Sequence, residues 1–129
     1  MKNELTIILS IKEKTNVNIE EIKKGNYAEI LKIESLFKII INYNLFFNDE
    51  YFPVLEFLKF INEWDFRQNF NYNCIETEDN PLISFINEND KWFIKSPWQL
   101  FDCKTSFTRE ELEKAVIDLK EDVEKQLKY

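Results

Sequence analysis

The chain has no histidine among its 129 residues and only one glycine, Gly25. Without histidine, the Ser-His-Asp and Cys-His catalytic arrangements cannot form, and neither can the common histidine-ligated metal sites. With one glycine, the chain lacks the glycine-rich loops through which backbone amides approach a phosphate. These two absences exclude histidine-dependent hydrolases and argue strongly against nucleotide-dependent enzymes.

Cysteines and long apolar runs are also scarce. Cys74 and Cys103 are too few for a disulfide scaffold, so each is expected to be a small buried hydrophobe in a reducing compartment. The apolar residues near the start are interrupted by polar ones, unlike the core of a signal peptide. No stretch reaches the roughly eighteen apolar residues of a membrane span. We therefore expect a cytoplasmic protein that does not bind a membrane.

Apolar residues make up 44% of the chain and aromatic residues 16%, which is ample material for a core despite 32% charged residues. A chain of this length fits one core, so residues 1–129 are expected to form a single domain. Runs of apolar residues at alternate positions or rich in β-branched residues indicate strands. The predicted strands are residues 5–11, 29–34, 37–43, 70–74, 84–88, 91–95 and 98–103.

The strongest strand signal is a hairpin. If Asn89 and Asp90 form a two-residue turn, Glu88 faces Lys91 and Phe85 faces Ile94 across the two strands. Opposite charges and apolar side chains are then both well matched, so this register is the expected one.

Three helices are also predicted. Asn18 and Gly25 bracket a short helix over residues 18–24. A central helix of about residues 50–64 is apolar on most sides and is expected to be sandwiched, with Glu56 among the few residues on a wet side. Thr108 and Glu111 form a capping box for a C-terminal helix of about residues 108–128. The expected fold is α+β, with the central and C-terminal helices packed on one antiparallel sheet of six or seven strands.

Charge is distributed unevenly along the chain. Residues 1–41 sum to +1 and residues 91–129 to zero, whereas residues 42–90 hold ten acidic and two basic residues and sum to −8. The turns expected in this middle third contain seven carboxylates and no cation. These residues are Asp49, Glu50, Glu76, Glu78, Asp79, Glu88 and Asp90.

If these turns converge in space, they would attract a basic protein partner and repel nucleic acid. Trp98, which follows a proline, is a candidate anchor for the same interface. The alternative interpretation is that the turns are simply solvated. Paired carboxylates could also serve a hydrolase or hold Mg²⁺, although no short metal-binding motif is present and we expect neither a metal nor a cofactor.

Several segments resemble a group of known proteins. "YFPVLEFLKFINEW", "NPLISF", "KWFIKSPWQLF" and "SFTREELEKAVIDLKEDVEKQL" are similar to small uncharacterised α+β proteins of low-GC Gram-positive bacteria. Some of these are regarded as immunity proteins of polymorphic toxin systems. The similarity runs from about residue 28 onward and lies in structural positions, so it transfers no site residue.

The resemblance implies a non-catalytic, acidic domain that neutralises a basic toxin or nuclease by stoichiometric binding. Two other functions stay open. One is an inhibitor that mimics nucleic acid through its acidic surface, for instance against a defence system. The other is a carboxylate-dependent hydrolase whose acidic residues are brought together only by the fold.

Overall fold

The structure is a computed structural model that describes residues 3–12 and 17–127. Six strands and four helices form in this part of the chain, in a mixed α+β arrangement. In chain order they are β1 (Leu5–Ile11), α1 (Ile19–Lys23), α2 (Tyr27–Ile30), β2 (Ser35–Ile41), β3 (Asn44–Phe52), α3 (Val54–Asn62), β4 (Phe70–Tyr72), β5 (Ile83–Glu88), β6 (Lys91–Lys95) and α4 (Arg109–Leu127).

The first sheet is antiparallel with the strand order β1-β2-β3. The predicted strand at residues 5–11 is confirmed as β1. Along β2, buried and half-buried residues alternate, so Phe37, Ile39 and Ile41 face the core. Between β2 and β3 the chain turns at Asn42 and Tyr43, which both have positive φ.

The second sheet is also antiparallel, with the order β4-β5-β6. The predicted hairpin is confirmed, because Glu88 faces Lys91, Phe85 faces Ile94, and the turn residues Asn89 and Asp90 both have positive φ. The prediction of one continuous sheet was wrong, since the six strands belong to two separate sheets of three.

The strand predicted at residues 98–103 does not form, which is one reason why the strands divide into two sheets. This segment makes one backbone hydrogen bond to the outer edge of β3, from Leu100 N–H to the Phe46 carbonyl at 2.8 Å. Ser96 to Gln99 form a turn instead, closed by a hydrogen bond from Gln99 N–H to the Ser96 carbonyl. No described strand therefore joins β3 to the second sheet.

The strand predicted at residues 29–34 was also wrong, because the short helix α2 ends at Ile30 and a turn follows it, in which Ile33 N–H donates to the Ile30 carbonyl at 3.3 Å. The side chain of Asn26 accepts a hydrogen bond from Ala28 N–H and caps this helix. Ile30 and Ile33 are both buried. Their spacing of three matches a helical turn rather than the period of two that a strand requires.

The central helix begins later than predicted, since residues 44–52 form β3 and α3 starts at Val54. The pairing of β3 with β2 contains two irregularities, and Phe46 and Phe47 are consecutive yet both buried. Such bulges interrupt the period of two in the sequence. Pro53, which has no N–H group, then ends the strand immediately before α3.

Helix α3 lies between the two sheets, as the all-round apolar pattern predicted. Phe57 of α3 contacts the rings of Phe37 and Phe52 in the first sheet and of Phe70 and Tyr72 in the second. The core is therefore an aromatic cluster shared by one helix and both sheets. Edge-to-face contacts of this kind add to the free energy gained from burial alone.

Helix α4 confirms the predicted C-terminal helix, with Lys128 of that prediction outside the described residues. The capping box forms, since Glu111 N–H donates to the Thr108 hydroxyl and Thr108 N–H donates to the Glu111 carboxylate. The buried face of α4 packs toward β1 and β6. In the described part of the chain, no helix has both the length and the apolar character needed to cross a membrane.

Phe52→Ala is expected to lower the free energy of unfolding by about 3–5 kcal/mol, since the fully buried ring contacts aromatic side chains of both sheets and α3. Denaturation in urea measures the change. Ile117→Ala, at an exposed position of α4, is the control and should change the free energy by less than about 0.5 kcal/mol. Equal effects of the two substitutions would contradict the central role of Phe52.

Candidate functional site

Glu56 lies in the middle of α3 and is completely buried, with 0% of its surface exposed. This finding corrects the expectation that Glu56 marks a wet side of the helix. A buried carboxylate is very costly unless hydrogen bonds replace the water it loses. Glu56 therefore needs donors from the segments packed around α3.

Three donors from three different segments satisfy this carboxylate. The Tyr72 hydroxyl, at the end of β4, donates to Glu56 Oε1 at 2.6 Å, and Ile75 N–H donates to the same oxygen at 3.3 Å. The Tyr27 hydroxyl of α2 donates to Oε2. We call Glu56, Tyr27, Tyr72 and the Ile75 amide the buried carboxylate node.

The surroundings of the buried carboxylate node disfavour nucleophilic catalysis by Tyr72 and Cys74. Burial, contact with Cys74 and contact with Glu56 raise the pKa of Tyr72 well above the usual range for tyrosine. Burial also raises the pKa of the Cys74 thiol, and a thiol held in its neutral form is a poor nucleophile. These groups therefore act as hydrogen-bonding and packing partners.

The loop after β4, residues 73–82, is shaped by Asn80. Its side chain accepts a hydrogen bond from Cys74 N–H at 2.8 Å and donates to the carbonyls of Cys74 and Thr77 at 3.0 and 2.7 Å. Together with the bond from Ile75 to Glu56, these contacts fix both ends of the segment that carries Glu76, Glu78 and Asp79.

Glu76 lies among other carboxylates. Partial burial and the negative charges of Glu34, Glu56 and Asp49 raise the pKa of Glu76 above its ordinary value of 4.5. Five carboxylates at the surface on and around this loop form no salt bridge with any described residue. We call this group the acidic face: Glu34, Asp49, Glu76, Glu78 and Asp79.

Trp98 borders the acidic face. Its indole N–H donates to Asp79 Oδ2 at 2.8 Å, and its ring stacks on Phe47 with the centroids 6.2 Å apart. The ring is half-buried, which leaves only part of it available as an anchor. Two apolar side chains in the adjoining segments are more exposed, Ile75 at 63% and Leu100 at 59%.

The structure brings together only some of the predicted binding residues. Asp49 lies near Glu76, and Asp79 contacts Trp98. Glu50 and Glu78 are exposed next to these residues in the sequence. The Ile83 end of β5 adjoins the acidic loop, whereas Glu88 and Asp90 lie at its other end, roughly 17 Å away at 3.3–3.4 Å per residue.

Sequence reasoning missed Glu34, Tyr27, Tyr72 and the burial of Glu56. One signal was available for Glu56, because it is the only charged residue in a run of apolar residues from Tyr51 to Leu58. A lone acidic residue on a helix that is apolar on all sides must be buried with partners. The sequence could not identify those partners, which come from distant segments.

The described residues contain no group of three or more acidic or cysteine side chains placed to hold a metal ion. Three surface grooves on the described part of the chain have volumes of about 600, 410 and 240 Å³. Neither Glu56 nor Glu76 lines any of these three grooves. The acidic face therefore lies outside these three grooves, beside the buried node.

The fold and the site define an α+β domain with a cluster of carboxylates that form no salt bridge with a described cation and that lie next to a half-buried tryptophan. A family model described as a domain of unknown function, DUF7878, matches residues 7–129, so the chain belongs to that family. No curated protein and no solved structure matches the chain.

Glu76→Gln is expected to raise the free energy of unfolding at pH 7, because it removes a charge that partial burial and neighbouring carboxylates both disfavour. A raised folded-state pKa means that the wild-type protein loses stability as the pH rises from 4.5 through that raised value. The gain should therefore be present above this window and shrink as the pH falls toward 4.5. Since the side chain is exposed, the gain should stay below about 1 kcal/mol.

Urea denaturation between pH 4 and 8 tests this expectation. The matched control is Glu78→Gln, which makes the same charge change in the same loop. An equal, pH-dependent gain in both variants would show a general effect of net charge and would contradict a local repulsion at Glu76.

Proposed function

We propose that this domain is a non-catalytic protein-binding module, similar to an immunity protein, that neutralises a basic toxin or nuclease by stoichiometric binding. The observation that carries the proposal is the environment of Glu76, whose carboxylate lies near Glu34 and Asp49 with no described cation paired to any of the three.

Partial burial and repulsion from neighbouring carboxylates both disfavour the ionised form of Glu76 in the free domain. A basic partner would relieve this repulsion when it places lysine or arginine side chains against the acidic face. The same charges would accelerate association, because complementary potentials steer the encounter of two proteins. An arrangement that costs stability in the free domain and is relieved in a complex is typical of a binding surface.

Apolar groups border these charges and support the same proposal. Trp98 contacts Asp79, and Ile75 and Leu100 expose most of their side chains in the two segments that meet there. Interfaces generally combine a buried aromatic or aliphatic centre with a polar rim. The acidic face and Trp98 would form one continuous docking surface of this kind.

We also propose that the protein acts in the cytoplasm. Cys74 and Cys103 are free thiols, which is usual in a reducing compartment. The proposal includes no cofactor, no metal and no direct contact with nucleic acid or a membrane.

An inhibitor that mimics nucleic acid would use the same acidic face, so the clustered carboxylates of that face support it as a second candidate. The two candidates differ in what the partner binds. For a mimic, DNA or RNA should compete with this domain for the partner, whereas an immunity protein that binds outside the nucleic-acid site should not be displaced. Glu56 itself is a poor candidate for the hydrolase alternative, because it is buried against Tyr27, Tyr72 and Ile75.

The test is binding to the product of the gene next to the one that encodes this domain, measured by calorimetry. The variant Glu76→Lys, Glu78→Lys and Asp79→Lys should weaken binding by at least about tenfold, because like charges facing each other across an interface cost several kcal/mol. The wild-type association rate should also fall as salt is increased.

The matched control reverses three exposed carboxylates elsewhere, Glu20→Lys, Glu121→Lys and Glu124→Lys, and thus makes the same change in net charge. It should bind within about threefold of the wild type. Unchanged binding by the acidic-face variant, or equal losses in both variants, would contradict the proposed surface. Lack of any binding to the neighbouring product would count against the immunity role.

A further inference from the structure

Strand β1 is an edge strand, and its hydrogen-bonding pattern decides which backbone groups are free. The Glu4 carbonyl accepts from Asn42 N–H at 2.9 Å, and Lys12 N–H donates to the Glu34 carbonyl at 3.0 Å. Even-numbered residues therefore form the hydrogen-bonded pairs with β2. In an antiparallel pair the alternate residues direct their N–H and C=O groups to the other side. The backbone N–H and C=O groups of the odd-numbered residues of β1 thus point away from β2.

Side chains near the start and end of α4 occupy two parts of this outer edge. Asn3 N–H donates to Glu111 Oε2 at 3.1 Å. Farther along, Ile11 N–H donates to Gln126 Oε1 at 2.7 Å, and Gln126 Nε2 donates to the Leu9 carbonyl at 2.9 Å. Helix α4 therefore runs beside the edge of β1 and caps it at both ends.

Between these caps, the N–H and C=O groups of Leu5 and Ile7 have no hydrogen-bonding partner among residues 3–12 and 17–127. These two residues line an open groove of about 600 Å³ between β1 and the first half of α4, with Ala115 and Lys114 on the helix side. Four unpaired backbone groups thus lie along the wall of a groove.

We propose that this groove binds a short, extended, basic segment of another protein, which adds to the edge of β1 as a further strand. In this mode of recognition, main-chain hydrogen bonds to a sheet edge provide affinity and side-chain pockets provide specificity. Leu5 and Ile7 would supply the main-chain bonds. The helix wall would select the side chains of the bound segment.

Charge complementarity identifies the occupant as basic. Four carboxylates and one cation, Lys114, are the charged groups among the described residues that line the groove. Lys114 pairs with Asp118 at 2.8 Å, so three of the carboxylates have no cation among these residues. The four carboxylates are Glu4, Glu110, Glu111 and Asp118. A second copy of this chain would bring the same acidic rim against the first. A partner with lysine or arginine side chains avoids that repulsion.

The geometry of the groove also limits the length and pattern of the segment. Asn3 and Leu9 are six residues apart, roughly 20 Å along a strand, so about five residues fit between the caps. Successive side chains of a strand point to opposite faces. Those on the inner face would lie against Leu5, Ile7 and Ala115 and should be apolar, whereas the basic residues should alternate with them.

This groove is separate from the acidic face. Strands β1 and β3 form opposite edges of the first sheet, and Asp49 of the acidic face lies in β3. The groove proposal therefore does not depend on the proposed function, and either can fail without the other.

A library of random seven-residue peptides displayed on phage provides the probe, selected on the full-length protein. Enriched peptides should alternate lysine or arginine with apolar residues. Their binding should fall at least about tenfold in Ile7→Pro, because proline removes the free N–H that faces the groove while the β2 ladder uses even-numbered residues. Ile7→Ala, which loses the same side chain but keeps the N–H, should retain more binding than the proline variant.

Two exposed carboxylates of α4 provide a test that leaves the strand intact. Glu110→Lys, at the groove, should weaken the same peptides, whereas Glu121→Lys, outside the groove lining, should not. Failure to enrich any peptide, or equal binding by Ile7→Pro and Ile7→Ala together with no effect of Glu110→Lys, would overturn the proposal. Self-association of the wild type that Ile7→Pro abolishes would overturn it in favour of a second copy.

Discussion

The structure depends on a carboxylate that is buried in the middle of a hydrophobic helix. Removing Glu56 from water is tolerable only because Tyr27, Tyr72 and the Ile75 amide replace the lost hydrogen bonds. Each donor comes from a different part of the chain, so one side chain of α3 joins α2, the end of β4 and the following loop. Loss of any one donor would leave a buried charge with fewer hydrogen bonds, which is strongly unfavourable.

This internal constraint also determines the surface. The bond from Ile75 to Glu56 and the three hydrogen bonds of the Asn80 side chain hold the loop in place. Glu76 is consequently kept near Asp49 and Glu34 despite their repulsion. A flexible loop would let these carboxylates separate, whereas a fixed loop maintains a concentrated negative surface. The proposed binding of a basic partner follows from this combination of a rigid support and carboxylates that pair with no cation in the described part of the chain.

The elements predicted correctly are those specified by nearby residues. The hairpin turn at Asn89 and Asp90 and the capping box at Thr108 are local signals, and both form as expected. The failures involve tertiary structure. Bulges hid β3 because they break the alternation of apolar residues, and the two-sheet arrangement depends on α3 packing between the sheets.

In the candidate site, too, the features specified by nearby residues were predictable and those that depend on tertiary structure were not. The acidic character of the loop at residues 76–79 was evident from composition, and the contact between Trp98 and Asp79 places two predicted residues together. The separation of Glu88 and Asp90 from this group follows from the direction of β5, which only the sheet register defines. The partners of Glu56 are 29, 16 and 19 residues away in the chain, beyond the reach of any local pattern.

Amide hydrogen exchange at Ile75 tests the central claim most directly. The side chain of this residue is 63% exposed, and its N–H is bonded to the buried Glu56 carboxylate. The account predicts that the Ile75 amide exchanges much more slowly than the amide of Glu78 in the same loop, and that Glu56→Ala abolishes the difference. Exchange of Ile75 at the rate of the Glu78 amide in the wild-type protein would show that the node does not hold the acidic loop.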